Sequence, residues 1–315
     1  MQLVRNSYIG GYGNMTNLFK LRKKRLKKII KKPIGDQVLD VLNIAFLIFF
    51  CLLIIIPLLN LIAFAFSTGT SNSKVTFLPV GFTFDMFNYV VHESSFWRSL
   101  LNSVIITLFV TVFSNLFMAM AAYPLSKQDF PFKNIILIFF VITMLFSAGI
   151  VPAVLLLRGL GLYGTIWAVI IISINNVFNL LLYKSFFEGL PKETIEAAEV
   201  DGVNNFQMFY KIVLPMSLPV FASCAFFSIV GTWNSYSGAL MFIGTASDKE
   251  AFWPLSLYIY DLLQRDPSSD PSSFLSTNLV NVQSASIIIS VIPILVIYPF
   301  VIRYIKSGIT IGSEK

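Results

Sequence analysis

The chain has 315 residues, of which 56% are hydrophobic and only 12% are charged, and its mean hydropathy is +0.76. Soluble domains carry about 25% charged residues, so this composition excludes a water-soluble globular protein and predicts an integral membrane protein. The two cysteines, Cys51 and Cys224, lie inside apolar runs, which argues against a disulfide framework or a cysteine metal site. The formal net charge is +7.

The N-terminal residues 1–38 are polar and basic. Within them, residues 18–32 (LFKLRKKRLKKIIKK) place leucines and isoleucines among a dense set of lysines and arginines. This pattern predicts a short amphipathic segment that lies against anionic lipid headgroups. The apolar run that follows is too long for the hydrophobic region of a cleavable signal peptide.

Six apolar stretches follow, each close to the roughly 20 residues that cross about 30 Å of hydrocarbon. They lie at residues 39–66, 99–124, 134–157, 163–187, 213–243 and 282–305. The predicted fold class is therefore an all-α integral membrane protein with six transmembrane helices. The membrane domain is predicted at 39–307, and a short tail at 308–315.

The orientation follows from the lysines and arginines, which concentrate on the cytoplasmic side of a membrane protein. With a cytoplasmic N-terminus, 18 of the 23 fall in inside segments and five in outside segments. The outside five are Lys74, Arg98, Arg158, Lys249 and Arg265. Both termini are thus predicted to be cytoplasmic. The net positive charge reflects topology and contact with the lipid bilayer, with no nucleic-acid partner.

Two of the predicted outside loops are longer than simple connections. Residues 67–98 contain the sequence FTFDMFNYVVHESSFW, which predicts a short helix with an aromatic face. Residues 244–281 are acidic and rich in serine and proline. This second loop is either a solvated connection or a surface for an external partner.

A polar interruption at residues 190–219 separates the fourth and fifth apolar stretches. Pro191 suits the first turn of a helix, and Glu193 favours the positive end of the helix dipole. The helix is predicted to run to about Asp201 and to stop at Gly202, a residue that readily takes the left-handed cap conformation. This loop would lie on the cytoplasmic side.

The predicted helix carries acidic and small side chains. Glu196 and Glu199 lie on one face, and Ala197 and Ala198 are small enough for another protein to approach closely. A second helical stretch is predicted to pack its apolar residues on the membrane helices, and Pro215 to bend the chain into the fifth span. These apolar residues are Phe206, Phe209, Tyr210 and Val213. The residues alone leave two interpretations open, a docking element and a surface helix that fills a gap.

The spacing E-A-A-x-x-D-G, followed by I-x-L-P, resembles the EAA motif of the membrane subunits of ATP-binding-cassette importers. Its residues here are Glu196, Ala197, Ala198, Asp201, Gly202, Ile212, Leu214 and Pro215. Residues 101–134, TWNSYSGAL at 232–240 and the C-terminal YPFVIRYIKSGITIGSEK are similar to carbohydrate permeases. The pattern is most similar to the maltose-type, second-position permease, especially its Gram-positive relatives for complex oligosaccharides. The terminal GSEK departs from the family's usual ending.

The resemblance implies a type I importer permease fold with a cytoplasmic coupling loop at 188–215. It also implies three kinds of protein partner: a second, homologous permease subunit in a heterodimer, two cytoplasmic ATPase subunits, and an extracytoplasmic sugar-binding protein. ATP and magnesium would be held by the ATPases, and this chain would bind no cofactor. Residues Glu196 to Gly202 would contact the ATPase, and Pro215 would fix the angle at which force enters the fifth span.

The sequence lacks the usual catalytic equipment. It contains no G-x-x-x-x-G-K-[ST] phosphate-binding loop, so ATP would be hydrolysed by another chain. The single histidine, His92, lies in an outside loop, so histidine-based triads and zinc sites lack their parts. The chain is therefore predicted to be a non-catalytic transport subunit without a metal.

Polar residues at membrane depth are the candidates for a translocation path, because burying them is costly. Sugar recognition needs neutral hydrogen-bonding groups and aromatic faces, which favours Asn176, Asn179, Trp233 and Asn234. The competing interpretation is that these side chains join helix to helix, at about 1 kcal/mol each. A solute other than carbohydrate remains an alternative. A self-contained secondary carrier is a weaker one, because ionisable residues are almost absent from the apolar stretches.

Overall fold

The computed structural model describes residues 34–69, 76–146, 148–244, 247–266 and 274–311. The predicted amphipathic segment at 18–32 and the last four residues lie outside this described part. Within it, the regular secondary structure is helical and no strand occurs. Contacts within the chain divide it into two compact units, residues 1–60 and 61–315, which are described separately.

The first unit contains most of helix α1 (Ile34–Ala65), which has Pro57 in its interior. Its side chains from Gly35 to Leu59 are exposed, and most of them are large and apolar. A surface of this kind is stable in hydrocarbon or against another protein, and unfavourable in water. Its length and composition agree with the first predicted span.

The second unit is built from the end of α1 and a series of helices. In chain order these are α2 (Asp85–His92), α3 (Ser94–Ser126), α4 (Lys133–Leu145), α5 (Ile150–Gly159), α6 (Ile166–Ile174), α7 (Val177–Glu188), α8 (Lys192–Val200), α9 (Asn205–Met216), α10 (Leu218–Asn234), α11 (Ser237–Phe242), a 3₁₀ helix (Ser247–Phe252), α12 (Leu255–Gln264) and α13 (Phe274–Ile311).

Helix α3 is the central element of this unit. It has 33 residues, which at about 1.5 Å per residue makes it roughly 50 Å long. Three buried clusters lie along it: Phe96 packs with residues of α12 and α13, Ile106 with residues of α6 and α11, and Tyr123 with residues of α7 and α9. The two predicted outside loops and the polar interruption therefore meet opposite ends of this one helix.

Among the described residues, four helices are long and apolar enough to cross a membrane, and up to six if each bent pair counts as one span. The four are α1, α3, the joined α6 and α7, and α13; the bent pairs are α4 with α5 and α9 with α10. The all-helical prediction is thus confirmed for the described residues, and the apolar helices fit a multi-pass membrane protein. The exact number of six spans stays a prediction.

The fifth predicted span, 213–243, is not one straight helix. Its straight part is α10, which is bent by 80° from α9 at Ser217. Pro215 and Pro219 flank this bend and lack the amide hydrogens that would continue the helical ladder. The helix of the sixth span starts earlier than predicted, at Phe274 in place of residue 282, and it is kinked at Asn278, whose backbone is non-helical.

The two predicted outside loops contain more helical structure than the sequence indicated. The short helix of the first loop is observed as α2, beside a cluster of phenylalanines that includes Phe66 stacked on Phe82 at 5.5 Å. In the second loop, α12 was not predicted. Its buried residues Leu255, Tyr258 and Leu262 follow the i, i+3, i+7 spacing of an apolar helix face, which is the signal that reveals it.

Candidate functional site

Helix α8 forms where the helix punctuation predicts it, within one residue at each end. Pro191 precedes its first residue, Glu193 lies in its first turn, and Asp201 caps its C-terminus. Gly202 follows with φ +76°, and the amide of Val203 donates to the carbonyl of Ala198 at 3.1 Å. A side chain at Gly202 would meet no atom within 4 Å. The backbone conformation, rather than a lack of space, therefore explains the glycine.

One face of α8 is exposed and the other is packed on its own chain. Glu196 and Ala197 are exposed, and Val200 is 88% exposed. Ala198 is buried, and Ile195 packs beside it against the same apolar cluster. Ala198 is therefore covered by its own chain in this structure, and its contact with another protein stays a prediction. Its small size lets α8 approach its own core.

Helix α9 also differs from its predicted pattern. Phe209 and Val213 are buried as expected, but Phe206 is 71% exposed and Tyr210 is 63% exposed. A π-helical turn at Phe209–Val213 interrupts the regular 3.6-residue period, and Met208, which the predicted pattern did not include, is buried. The helix that follows α8 therefore exposes two aromatic side chains.

The start of α9 is well defined by side-chain bonds. Asn204 Oδ1 accepts from the amide of Gln207 at 2.8 Å, and the amide of Asn204 donates to Gln207 Oε1 at 3.4 Å. This reciprocal capping box satisfies two amides that a helix start otherwise leaves free. The turn between α8 and α9 is thus set at one side by Gly202 and at the other by Asn204.

Ion pairs join this loop to its surroundings. Glu188, at the end of α7, is 3.0 Å from Lys133 Nζ and 2.9 Å from Lys184 Nζ. Glu199, near the end of α8, is 3.6 Å from Lys127 Nζ. Lys127 caps the end of α3, Lys133 begins α4, and Lys184 lies in α7. Sequence reasoning did not single out Lys127, because its partners are far away along the chain.

Asn179, a candidate for the translocation path, belongs to a buried network between helices. Its Nδ2 donates to Ser228 Oγ at 3.1 Å. Asn115 Nδ2 donates to the same Ser228 Oγ at 3.3 Å, and the Tyr183 hydroxyl donates to Asn115 Oδ1 at 2.7 Å. These four residues, the polar network, connect α3, α7 and α10. Asn179 therefore joins helices in this structure.

The other three candidates occupy different environments. Asn176 Oδ1 accepts from the amide of Asn179 at 3.1 Å and caps α7, where the fourth predicted span is interrupted between α6 and α7. Trp233 is buried, and its Nε1 donates to the carbonyl of Ser290 in α13 at 3.1 Å. Asn234 is exposed, and its Nδ2 donates to the carbonyl of Val230 at 2.9 Å. Asn234 is accordingly the candidate that faces outward from the helix packing.

Asn102 and Ser103 have a structural role that sequence reasoning did not assign to them. Asn102 Nδ2 donates to the carbonyls of Ala251 at 2.9 Å and Trp253 at 3.1 Å. Ser103 Oγ accepts from the amide of Leu255 at 2.7 Å, which caps the start of α12. The sequence contained one indication of their importance: both residues lie within residues 101–134, the segment that is similar to carbohydrate permeases.

Helix α12 is thereby anchored to α3 through polar bonds as well as through its apolar face. Burial raises the pKa of Tyr258, on that face, to about 12. Its hydroxyl stays neutral at physiological pH. The packing of α12 therefore does not depend on the ionisation of this side chain.

The fold and this loop define a membrane component of a binding-protein-dependent importer. A family model described as the inner membrane component of binding-protein-dependent transport systems matches residues 29–311, and the chain belongs to this family. Protein LplC of Bacillus subtilis is 35% identical over 89% of this chain and 96% of its own length. The polygalacturonan/rhamnogalacturonan transport system permease protein YtcP of the same organism is 31% identical over 89% of this chain and 99% of its own length.

A solved structure agrees with the sequence relatives. The crystal structure of a bacterial ABC transporter involved in the import of the acidic polysaccharide alginate contains a chain with a TM-score of 0.78 and 28% identity. The match covers 87% of this chain and 99% of that one. The resemblance to ABC importer permeases is confirmed. The chain is a multi-pass, non-catalytic transport subunit, and ATP hydrolysis belongs to a separate subunit.

Proposed function

We propose that this chain is one of two permease subunits of an ATP-driven importer for an oligosaccharide, and that a separate ATPase drives it through α8. The observation that carries the coupling role is the division of α8 into two faces. Ile195 and Ala198 anchor it to the cluster that contains the ends of α3 and α7, while Glu196, Ala197 and Val200 are exposed. A bound protein that contacts the exposed face can therefore move α8, and the packed face transmits this movement to the membrane helices.

The mechanical role divides among a few residues. The exposed part from Glu196 to Gly202 contacts the ATPase, and Gly202 turns the chain back toward the membrane. Pro215, just before the 80° bend between α9 and α10, sets the direction in which movement enters α10. Bond chemistry takes place on the ATPases, which hold ATP and magnesium.

The substrate proposal is supported by what the relatives are named for. One relative is named for polygalacturonan and rhamnogalacturonan, and the structural neighbour imports alginate. Both names include polysaccharides that carry uronic acids. We therefore propose an oligosaccharide, with uronic-acid oligosaccharides as the first to test, delivered by an extracytoplasmic binding protein. A non-carbohydrate solute is less well supported, and membership in a binding-protein-dependent family argues against a self-contained carrier.

The proposed topology has both termini and α8 in the cytoplasm. Its support is the 18 to 5 division of lysines and arginines. The folded chain is consistent with it, because Lys127, Lys133 and Lys184 gather at one end of α3, whereas Asn102, near the other end, bonds to the segment before α12. Labelling of single cysteines from either side of right-side-out vesicles tests this orientation.

The experiment that tests the coupling role replaces Glu196 with lysine in the complete transporter. Glu196→Lys reverses the charge on an exposed side chain, so folding and membrane insertion should be unaffected, whereas uptake of labelled oligosaccharide into proteoliposomes should be lost. Asp36→Lys is the matched control, because it reverses an exposed acidic residue near the start of α1, remote in sequence from the loop. Normal uptake by the Glu196 variant would refute the coupling role.

A further inference from the structure

The segment between α3 and α4 runs alongside the proposed coupling helix. Residues 127–133, here named the strap, carry a lysine at each end, and each lysine pairs with an acidic residue beside α8. Lys127 pairs with Glu199, near the end of α8, and Lys133 pairs with Glu188, four residues before α8 begins. The strap is therefore paired with the C-terminal part of α8 and with the end of α7, just before α8 begins.

The space between the strap and α8 is open in the region between the two ion pairs. A cavity of about 390 Å³ lies between the strap and α8, with Gln128 and Asp129 on one side and Ile195 and Glu196 on the other. Around this cavity the strap is held by its two ion pairs, to α8 and to the end of α7, and by Phe130, which packs against the apolar cluster that contains Ala198. A connection of this kind can hold a distance while the centre of the helix contacts another protein.

Lys127 makes the more elaborate of the two connections. Its Nζ donates to Asn205 Oδ1 at 2.7 Å, lies 3.6 Å from Glu199 Oε1 and stands 5.2 Å from the centre of the Tyr123 ring. An ammonium group has three donors and a full positive charge, so it can serve an amide, a carboxylate and an aromatic face together. These partners belong to α3, α8 and α9.

The two polar partners of Lys127 lie on either side of the turn between α8 and α9. Glu199 lies just before the turn that contains Gly202, and Asn205 is the first residue of α9 after that turn. One side chain thus bridges the two sides of the turn and ties both to the end of α3. The capping box fixes α9 internally, but it does not tie the turn to α3.

We propose that the strap is a second mechanical connection between the coupling helix and the membrane domain, with Lys127 as its positioning residue. The proposal rests on the coupling role of α8. Through Pro215, movement of α8 reaches α10. Through Lys127 it also reaches α3, the helix against which α6, α7 and α10 pack. The two connections together make the membrane helices move as one body when the ATPase moves α8.

The charges involved are partly exposed, with 33% of the Lys127 side chain and 54% of the Glu199 side chain accessible. Ion pairs at such positions contribute little to folding stability, because water and salt screen them. Loss of Lys127 should therefore leave the protein folded and in the membrane. It should lower the amount of solute moved per ATP hydrolysed, since α8 could then move without α3.

The test uses the complete transporter in proteoliposomes and measures uptake and ATP hydrolysis in the same preparation. Lys127→Glu is expected to lower uptake per ATP by about fivefold, the size of change that residues within coupling networks produce. Glu199→Lys should act similarly. The double variant with both substitutions restores the opposite charges and should regain at least half of the wild-type ratio, and Lys127→Arg should stay near wild type. Gln128→Glu is the matched control, because it adds a negative charge on the neighbouring exposed residue and keeps the ammonium.

Two outcomes would overturn the proposal: an unchanged ratio in Lys127→Glu, or a double variant no better than the single ones. The Glu196→Lys variant, measured in parallel, separates this failure from failure of the coupling role itself. If Glu196→Lys abolishes uptake and the strap variants do not, only the strap is refuted. If Lys127→Glu does not reach the membrane, Lys127→Gln replaces it, because it removes the positive charge without reversing it. An unchanged ratio of uptake to ATP hydrolysis in Lys127→Gln would then overturn the proposal.

Discussion

The Tyr183 hydroxyl donates a hydrogen bond of 2.7 Å to Asn115 Oδ1 inside the helix bundle, and this bond links α7 to α3. Both side chains are buried, and Tyr183 is fully so. The bond belongs to the polar network, in which Ser228 of α10 accepts from Asn115 and from Asn179. Three helices that form one bundle are therefore joined by neutral polar side chains.

Tyr183→Phe should destabilise the protein modestly. It leaves Asn115 Oδ1 buried without this donor, which in a membrane protein costs about 1 kcal/mol, and the melting temperature in detergent should fall by about 2 °C. Tyr298→Phe is the control, because Tyr298 lies on an exposed part of α13. Equal melting temperatures for both variants would show that the network contributes nothing measurable.

Gly202 gives a second prediction, based on its positive φ of +76°. A side chain has room there, so Gly202→Ala suffers only the backbone cost of the left-handed conformation, about 1 kcal/mol. Gly202→Asn should come closer to wild type, because asparagine tolerates this conformation. We expect uptake to fall in the order Gly, Asn, Ala, and to be lost in Gly202→Asp, which adds a charge to the docking surface.

The control for the Gly202 series is Gly189→Ala. Gly189 lies just before α8 with φ −88°, a conformation open to any residue. Uptake by this variant should stay near wild type. If Gly202→Ala and Gly189→Ala behaved alike, the left-handed turn would not be needed for coupling.

Much of the region around α8 could be predicted from sequence, because its signals are local. Pro191 and Gly202 act on the residues next to them, so the bounds of α8 could be deduced to within one residue. The faces of α9 could not be deduced in the same way. A regular 3.6-residue period places Phe206 and Tyr210 inside, whereas both are exposed and a π-helical turn replaces the regular helix at Phe209–Val213. Residue spacing alone does not reveal where such a turn occurs.

The contacts of Lys127 could not be predicted from the sequence, because its partners are distant along the chain. Lys127 and Asn205 are 78 residues apart, and no spacing rule relates them. The same holds for Asn102 and the carbonyl of Trp253, 151 residues away. The sequence indicates which residues are polar in apolar surroundings. Only the fold shows that Asn179 Nδ2 and Trp233 Nε1 donate to partners within this chain, and that Asn179 Oδ1 is buried without one among the described residues.

Ser103 supports a third prediction. Its Oγ accepts from the amide of Leu255 at the start of α12, so Ser103→Ala should leave that amide without its partner. Hydrogen exchange measured by mass spectrometry should become faster in residues 255–258 and remain unchanged in α8. Ser223→Ala is the matched control, because the hydroxyl of Ser223 bonds only the carbonyl four residues earlier in its own helix. Unchanged exchange at 255–258 would mean that apolar packing alone holds α12.

Asn179 and Asn234 lead to opposite predictions, because one is buried between helices and the other is exposed. Asn179→Leu removes a donor to Ser228, so it should lower the melting temperature while the KM for oligosaccharide uptake stays the same. Asn234→Leu loses only a bond within its own helix, so stability should hardly change. If Asn234 lies on the translocation path, its KM for uptake should rise.

Uptake kinetics and melting curves of both variants in the same proteoliposome preparation distinguish the two roles. The control is Asn134→Leu, since Asn134 is exposed near the start of α4 beside the strap and is not a path candidate. A raised KM in Asn179→Leu with unchanged stability would reverse the assignment. It would mean that the polar network opens to the substrate during transport, and that Ser228 and Asn115 are the next residues to test as sugar contacts.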